Sequence, residues 1–300
     1  MLRLPYPCFI RISVLICFLF ISSVFPFSPS ACIPAASAAT IPKKESDTSC
    51  ATNILLIGKD CQEEEAPSRA DTILLCSFHP DTQEVLMTSF LRDLYVPIPG
   101  QKSNRLNAAY AHGGMPLLRQ TLQENFDIVI DGCVEVNFSQ FSDVLDILGG
   151  VTIELRQDEA DIINQTVSGS LAEGTQHLTG AQALAYTRIR NLDDDGDFSR
   201  TNRQRKVISA LLSSYKGASL FTILSVIPDI LPMLSTDMEQ RQIISTIIQL
   251  VPMMSESTIT SQQIPAKDKC TYSTIRGMAV LTADLDEIRK ELANSLLPNK

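Results

Sequence analysis

The stretch Asn53-Ile54-Leu55-Leu56-Ile57-Gly58 is a short apolar run closed by a glycine, the pattern of a buried strand. Lys59 and Asp60 then fall at its carboxyl end, where open α/β sheets bind ligands. Further on, Ser68-Arg69-Ala70-Asp71-Thr72 leads into the apolar strand Ile73-Leu74-Leu75-Cys76-Ser77-Phe78; if extended, Arg69 and Asp71 face the same way. The turn residues His79-Pro80-Asp81 pair this strand with Glu84-Val85-Leu86-Met87-Thr88-Ser89-Phe90, which delivers Arg92 and Asp93 to its end. Helical stretches from Met115 to Phe126 and Phe138 to Leu148 alternate with the strands. The pattern predicts an α/β fold, a sheet covered by helices.

A second segment carries most of the chemistry. Tyr186-Thr187-Arg188-Ile189-Arg190, Asp197-Phe198-Ser199-Arg200 and Arg203-Gln204-Arg205-Lys206 follow one another closely. Read as a strand, Tyr186, Arg188 and Arg190 share one face. Val207, Ile208, Leu211, Leu212 and Tyr215 have the spacing of an amphipathic helix, which puts Arg203 and Gln204 in its first turn and makes Thr201-x-x-Gln204 a capping box. A guanidinium donates two parallel hydrogen bonds and stays charged, so such a group suits phosphate. The plainer alternative is a surface loop whose arginines pair with Asp193, Asp194, Asp195 and Asp197. A net charge of -9 leaves no general surplus of positive charge to scatter, which weighs against that alternative for the group as a whole. The same acidity argues against nucleic acid, which needs a broad basic face. Asp60 and Asp71 can hold Mg²⁺ beside substrate phosphates, or they can cap turns and pair with Arg69 and Arg92; spacing alone favours the latter.

Ordered pieces run along the chain: Asn53 to Asp60, Arg69-Ala70-Asp71-Thr72, Leu91-Arg92-Asp93, Leu106-Asn107-Ala108-Ala109-Tyr110 with Gly113-Gly114, and Val136-Asn137-Phe138 leading into Leu148-Gly149-Gly150-Val151. Leu178-Thr179-Gly180-Ala181-Gln182-Ala183-Leu184-Ala185-Tyr186 then precedes the arginine segment. In this order, over roughly residues 53 to 215, the chain resembles the LytR-CpsA-Psr (LCP) proteins of bacterial cell envelopes. The resemblance implies a central mixed sheet flanked by helices. It also implies an enzyme that moves a glycopolymer, with its linking phosphate, from a polyprenyl pyrophosphate carrier to a peptidoglycan hydroxyl. Carried over residue by residue, Asp60 and Asp71 would hold Mg²⁺, and Arg69, Arg92, Arg188, Arg190, Arg200 and Gln204 would surround the pyrophosphate. Arg203 is added from its position alone, and Arg105 stands where the family often has lysine. Asp197 would fix the arginines, and Asp93 would do the same or take the acceptor's proton. Such transfer needs positioning and charge neutralisation rather than a covalent intermediate. His79, His112 and His177 lack ligand spacing and carry no catalytic weight.

Arg3 and Arg11 precede the apolar core Val14 to Ile21, the pattern of a signal peptide or signal anchor over residues 1–38, and Ala36-Ser37-Ala38 reads as a cleavage site. Either form exports the rest, to the outer face of the cytoplasmic membrane or beyond it, next to a membrane surface. Residues 39–52 read as a short linker and 53–300 as one catalytic domain, with 216–300 its C-terminal part. Leu220 to Met254 is rich in Ile, Leu, Met and Pro and packs on the core or lines a groove for a prenyl tail, the core being the expected place. Cys50, Cys61, Cys76, Cys133 and Cys270 are an odd number beyond the leader, so at least one lacks an intramolecular partner, and Cys76 reads as a buried thiol. Two rivals stay open: a non-catalytic protein that binds lipid pyrophosphate or wall polymer, and a pyrophosphatase that releases the polymer to water.

Overall fold

The computed structural model describes residues 51–60, 69–190, 192 and 195–296. The leader, nearly all of the linker, Cys50, Cys61, Glu63 to Glu65, Asp193 and Asp194 lie outside the described residues.

The first strands form where the apolar runs demand. β1 (Thr52–Lys59), β2 (Ala70–His79) and β3 (Glu84–Phe90) make an antiparallel meander whose interior positions are nearly all buried. Alternation divides their side chains between two faces. Leu55, Ile57, Ile73, Leu75 and Phe90 face one core. Leu56, Leu74, Cys76 and Met87 face the other way, toward Ile208 and Leu212. A small ribbon of β4 (Tyr95–Val96) and β5 (Asn104–Arg105) leads into α1 (Leu106–Phe126). The helix breaks at Gly113 and Gly114, where Gly114 takes φ +61°, and Pro116 restarts it. α1 supplies Leu118, Leu122 and Phe126 to the first core, and Phe126 stacks on Phe90 at 5.2 Å between ring centroids.

β6 (Gly132–Asn137) returns parallel to β1, and Asn137 caps α2 (Phe138–Ile147) through a reciprocal box with Gln140. Gly149 and Gly150, both at positive φ, turn the chain into β7 (Val151–Leu155). Then follow α3 (Gln157–Thr166), β8 (Gly174–Leu178) antiparallel to β7, α4 (Gly180–Thr187) and α5 (Asp197–Ser214). α6 (Leu220–Ile230), β9 (Ser235–Thr236), α7 (Gln240–Met254), β10 (Thr258–Ile264), the hairpin β11 (Cys270–Ile275) and β12 (Met278–Ala283), and α8 (Leu285–Ser295) complete the chain. The main sheet has the order β10-β3-β2-β1-β6-β9 and is mixed, with β10 parallel to β3 and β1 parallel to β6. α1 and the α8 residues Ile288 and Leu292 cover one face, while α5 packs on the other.

Three sequence readings are corrected. Tyr186 and Thr187 belong to the end of α4 rather than to a strand, because Thr179 and Gln182 form a capping box that starts a helix at Gly180. α5 starts at Asp197, so Arg203 and Gln204 lie in its second turn, and Thr201 donates to the Phe198 carbonyl instead of capping. Of Leu220 to Met254, Leu250, Met253 and Met254 pack with Val85 in a core cluster and Ile230 is buried, while much of the rest is half-buried or exposed, so only part of the segment joins the core. Among the described residues no helix is long and apolar enough to cross a membrane. Cys76 is a buried free thiol.

α4 crosses α2 with almost no clearance at Gly180. A Cβ there would stand 1.9 Å from the Ser142 carbonyl oxygen, a backbone atom that cannot swing aside. Gly180→Ala is therefore expected to cost about 1–3 kcal/mol, the usual range for overpacking, read as a lowered midpoint in urea unfolding.

Candidate active site

The site is built at one end of the central strands by an irregularity in the ladder. Gly58 pairs with Thr72 and Lys59 with Ala70, so Asp71 has no opposite residue and is bulged out. Antiparallel pairing brings the end of β1, the start of β2 and the end of β3 together, and with them Asp60, Asp71, Arg92 and Asp93. Arg188 and Arg190 project from the segment after α4, on either side of buried Ile189. Arg200 and Asp197 come from the first turn of α5.

Asp71 is the hub. Its Oδ1 accepts from Arg92 Nη1 at 2.5 Å, while its Oδ2 lies 3.8 Å from Arg190 and 4.0 Å from Arg200. Arg200 also donates to the Asp71 carbonyl at 3.2 Å and pairs with Asp197 at 2.8 Å. Arg92 Nε lies 3.5 Å from Asp197 and 3.7 Å from Asp93, and Asp93 in turn pairs with Arg105 at 3.4 Å. Asp60 and Arg188 stand 4.0 Å apart at the exposed rim. Arg69 is exposed and has no ion-pair partner among the described residues.

The electrostatics separate Arg92 from Arg200. Burial works against the charge of Arg92, but Asp197 and Asp71 outweigh it and hold its pKa above the ordinary value. Burial dominates at Arg200, whose side chain is 3% exposed; with repulsion from Arg92 it pulls the pKa below the ordinary value despite Asp197 and Asp71. The carboxylates leave donors over: Arg92 Nε, Arg105 Nε and Arg200 Nε are buried without a hydrogen bond. Unsatisfied buried donors are costly, and the oxygens of an anion can satisfy such groups.

Below the arginines opens an apolar cavity of about 170 Å³, between the sheet and helices α2, α4 and α5. Its wall touches the charged site directly: Gly58 and Thr72 precede and follow the bulge, Thr187 precedes Arg188, and Phe138 lies under the Arg188 guanidinium at 4.8 Å. Gln204 also lines it, with its Oε1 buried and unpartnered. Leu234, from the apolar segment expected in the core, is another wall residue, which gives that segment a part in the groove.

Arg203 is the site residue that the structure takes away. It is buried, bonds Glu159 at 2.9 Å and the Ile189 carbonyl at 3.4 Å, and so ties α5 to α3. No group of three metal-ligating side chains occurs among the described residues. Among the described residues Asp60 and the Oδ2 of Asp71 nevertheless accept no hydrogen bond, and these are the carboxylate oxygens that would hold a Mg²⁺. The sequence reasoning missed Phe138 as the platform under Arg188, although an aromatic residue opening a helix beside a phosphate site was visible.

The model of the LytR_cpsA_psr family matches residues 33–294. The chain belongs to the LytR_cpsA_psr family. A polyisoprenyl-teichoic acid–peptidoglycan teichoic acid transferase, TagU of Bacillus mycoides, is 38% identical over 181 residues, 60% of this chain and 56% of the relative. The chain thus spans about half the length of that relative. TagT of Bacillus subtilis, with the same transferase name, is 31% identical over 255 residues, 81% of this chain and 76% of its own. The fold of this family member superposes on a solved TagT structure with bound octaprenyl pyrophosphate lipid at a TM-score of 0.63 and 28% identity, covering 85% of this chain and 94% of the other.

The contrast between Arg203 and Arg190 is testable. Arg203→Ala strands Glu159 in the core and is expected to cost about 3–5 kcal/mol in chemical denaturation. Arg190→Ala, at a half-exposed position, should stay within about 1 kcal/mol of the wild type.

Proposed function

We propose that the chain transfers a glycopolymer, with its linking phosphate, from a polyprenyl pyrophosphate carrier to a peptidoglycan hydroxyl, at the outer face of the cytoplasmic membrane. The observation that carries this reading is the direct contact between a cluster of under-satisfied arginines and an apolar cavity. An amphiphile with a multiply charged head and a hydrocarbon tail matches both halves. The names of TagU and TagT, and the octaprenyl pyrophosphate held by TagT, agree with that chemistry.

In the proposed reaction the prenyl chain lies along the cavity, and the pyrophosphate meets Arg92, Arg188, Arg190 and Arg200, with Arg69 and Arg105 at the rim. The acceptor hydroxyl oxygen attacks the phosphorus that carries the polymer. A new P–O bond forms, the bond to the bridging oxygen breaks, and polyprenyl phosphate leaves with that electron pair. Asp93, which pairs with Arg92 and Arg105, takes the hydroxyl proton in this proposal. Arg92 and Arg200, fixed by Asp71 and Asp197, neutralise charge on the leaving phosphate without moving to do so. Mg²⁺, held by Asp60 and Asp71, would add further charge neutralisation at the same oxygens.

The test is transfer from a synthetic polyprenyl-pyrophosphate sugar donor to peptidoglycan fragments in Mg²⁺ buffer. Asp71→Ala and Arg92→Ala, each checked for folding, are expected to lower the rate by about 10²-fold or more, and chelation to abolish it. Donor binding without turnover would instead indicate a binding protein, and release of the polymer to water a pyrophosphatase.

A further inference from the structure

Arg205 belongs to the arginine-rich run but to neither of its fates. Arg200 reaches Asp71 and Asp197, and Arg203 reaches Glu159. One residue on from Gln204, Arg205 is turned about 100° around α5, away from the site described above. It is 7% exposed, and its Nε and Nη1 have no hydrogen-bond partner. Burial pulls its pKa down to about 10, so it remains charged at neutral pH. A buried charge without a partner is costly to keep and calls for a counter-charge.

The space beside it suits one. Arg205 and Lys206 line an open cavity of about 430 Å³ between α5, β7 and the strands β3 and β10, whose floor includes the apolar Met87, Ile153 and Ile259. Asn202 and the hydroxyls of Thr152, Ser209, Ser213 and Ser261 share the wall, and Glu154 is the one carboxylate on it. A second cavity, lined also by Gln262, Gln263 and the carboxylates Asp195 and Glu291, shares Asn202 and Arg205. The Gln263 amide nitrogen there is also buried and unpartnered. Hydroxyls and amides around a fixed cation are the groups that hold a sugar bearing a negative charge.

We propose that this cavity is a second binding site, for an oxyanion carried by a saccharide, with Arg205 taking the phosphate or carboxylate oxygens and the hydroxyl-lined wall taking the sugar. The site is separated from the Asp71 cluster by the body of α5 and needs neither the metal nor the prenyl cavity. Transfer chemistry at the first site is therefore not required for ligand binding at the second.

Calorimetry on the full chain carrying Arg188→Ala and Arg190→Ala, which weakens phosphate binding at the first site, tests this with two probes, inorganic phosphate and N-acetylmuramic acid. At least one is expected to bind, and adding Arg205→Met should weaken it tenfold or more, roughly the loss of one charge-assisted hydrogen bond. Arg205→Lys should fall between. A response to phosphate alone identifies a phosphodiester polymer as the source, and a response to N-acetylmuramic acid a carboxylate sugar. Arg205→Met removes an unpaired buried charge and keeps an apolar stem of similar length, so it should melt no lower than its parent without probe. Absence of binding by both probes, binding indifferent to Arg205→Met, or a lowered melting point for that variant would each overturn the proposal.

Discussion

Asp71 is the constraint on which the rest of the site depends. Arg92, Arg190 and Arg200 arrive from three separate parts of the chain and come within 4.0 Å of one largely buried carboxylate. Without it the three guanidiniums would repel one another and Arg200 would lose part of what offsets its burial. The bulge makes the arrangement possible, because a residue inside the regular ladder would be held to one face of the sheet by its pairing, whereas Asp71 has no opposite partner. The arginines are held, yet their Nε groups are not satisfied. Such a site is rigid before its ligand arrives and gains hydrogen bonds when an anion fills it.

Much of this was legible in the residues. β3 spans Glu84 to Phe90, as the apolar pattern between His79-Pro80-Asp81 and Arg92 predicts, since a turn and a charged end fix both limits. Asp60, Asp71, Arg92 and Asp93 meet at one end of the central strands because an antiparallel meander leaves no other place for them. The segment ending at Arg190 misled because Tyr, Thr and Ile favour strands, while the signal that decided it, Thr179 with Gln182, lies several residues upstream. The Arg203–Glu159 pair spans 44 residues and leaves no local trace. Leu220 to Met254 was legible only in part: apolar composition reports affinity for an apolar surface, which Leu250, Met253 and Met254 find against Val85 and Leu234 finds in a cavity wall.

The three arginines of α5 show how a helix distributes what a sequence places together. Read as a run, Arg200, Arg203 and Arg205 look like one cluster. A helix turns about 100° per residue, so they leave α5 in three directions. One joins the Asp71 hub, one locks α3 to α5, and one is left charged in a polar cavity. Their chemistry is identical, and the carboxylate each can reach decides its role.

The hub and the apolar cavity are also joined mechanically. Gly58 lines the cavity and pairs with Thr72, the residue next to Asp71. A Cβ at Gly58 would stand 3.0 Å from both Cβ and Oγ1 of Thr72, closer than packed side chains tolerate without shifting. Any side chain in the strand at this point would therefore press on the bulge that aims Asp71. The glycine keeps the cavity open up to the foot of the arginine cluster and lets the bulge keep its form. In the same way Arg188 rests on Phe138, which is itself part of the cavity wall. Filling the cavity bears on the backbone and the aromatic ring that support the charged groups, so the apolar and the ionic halves of this site cannot be shaped independently.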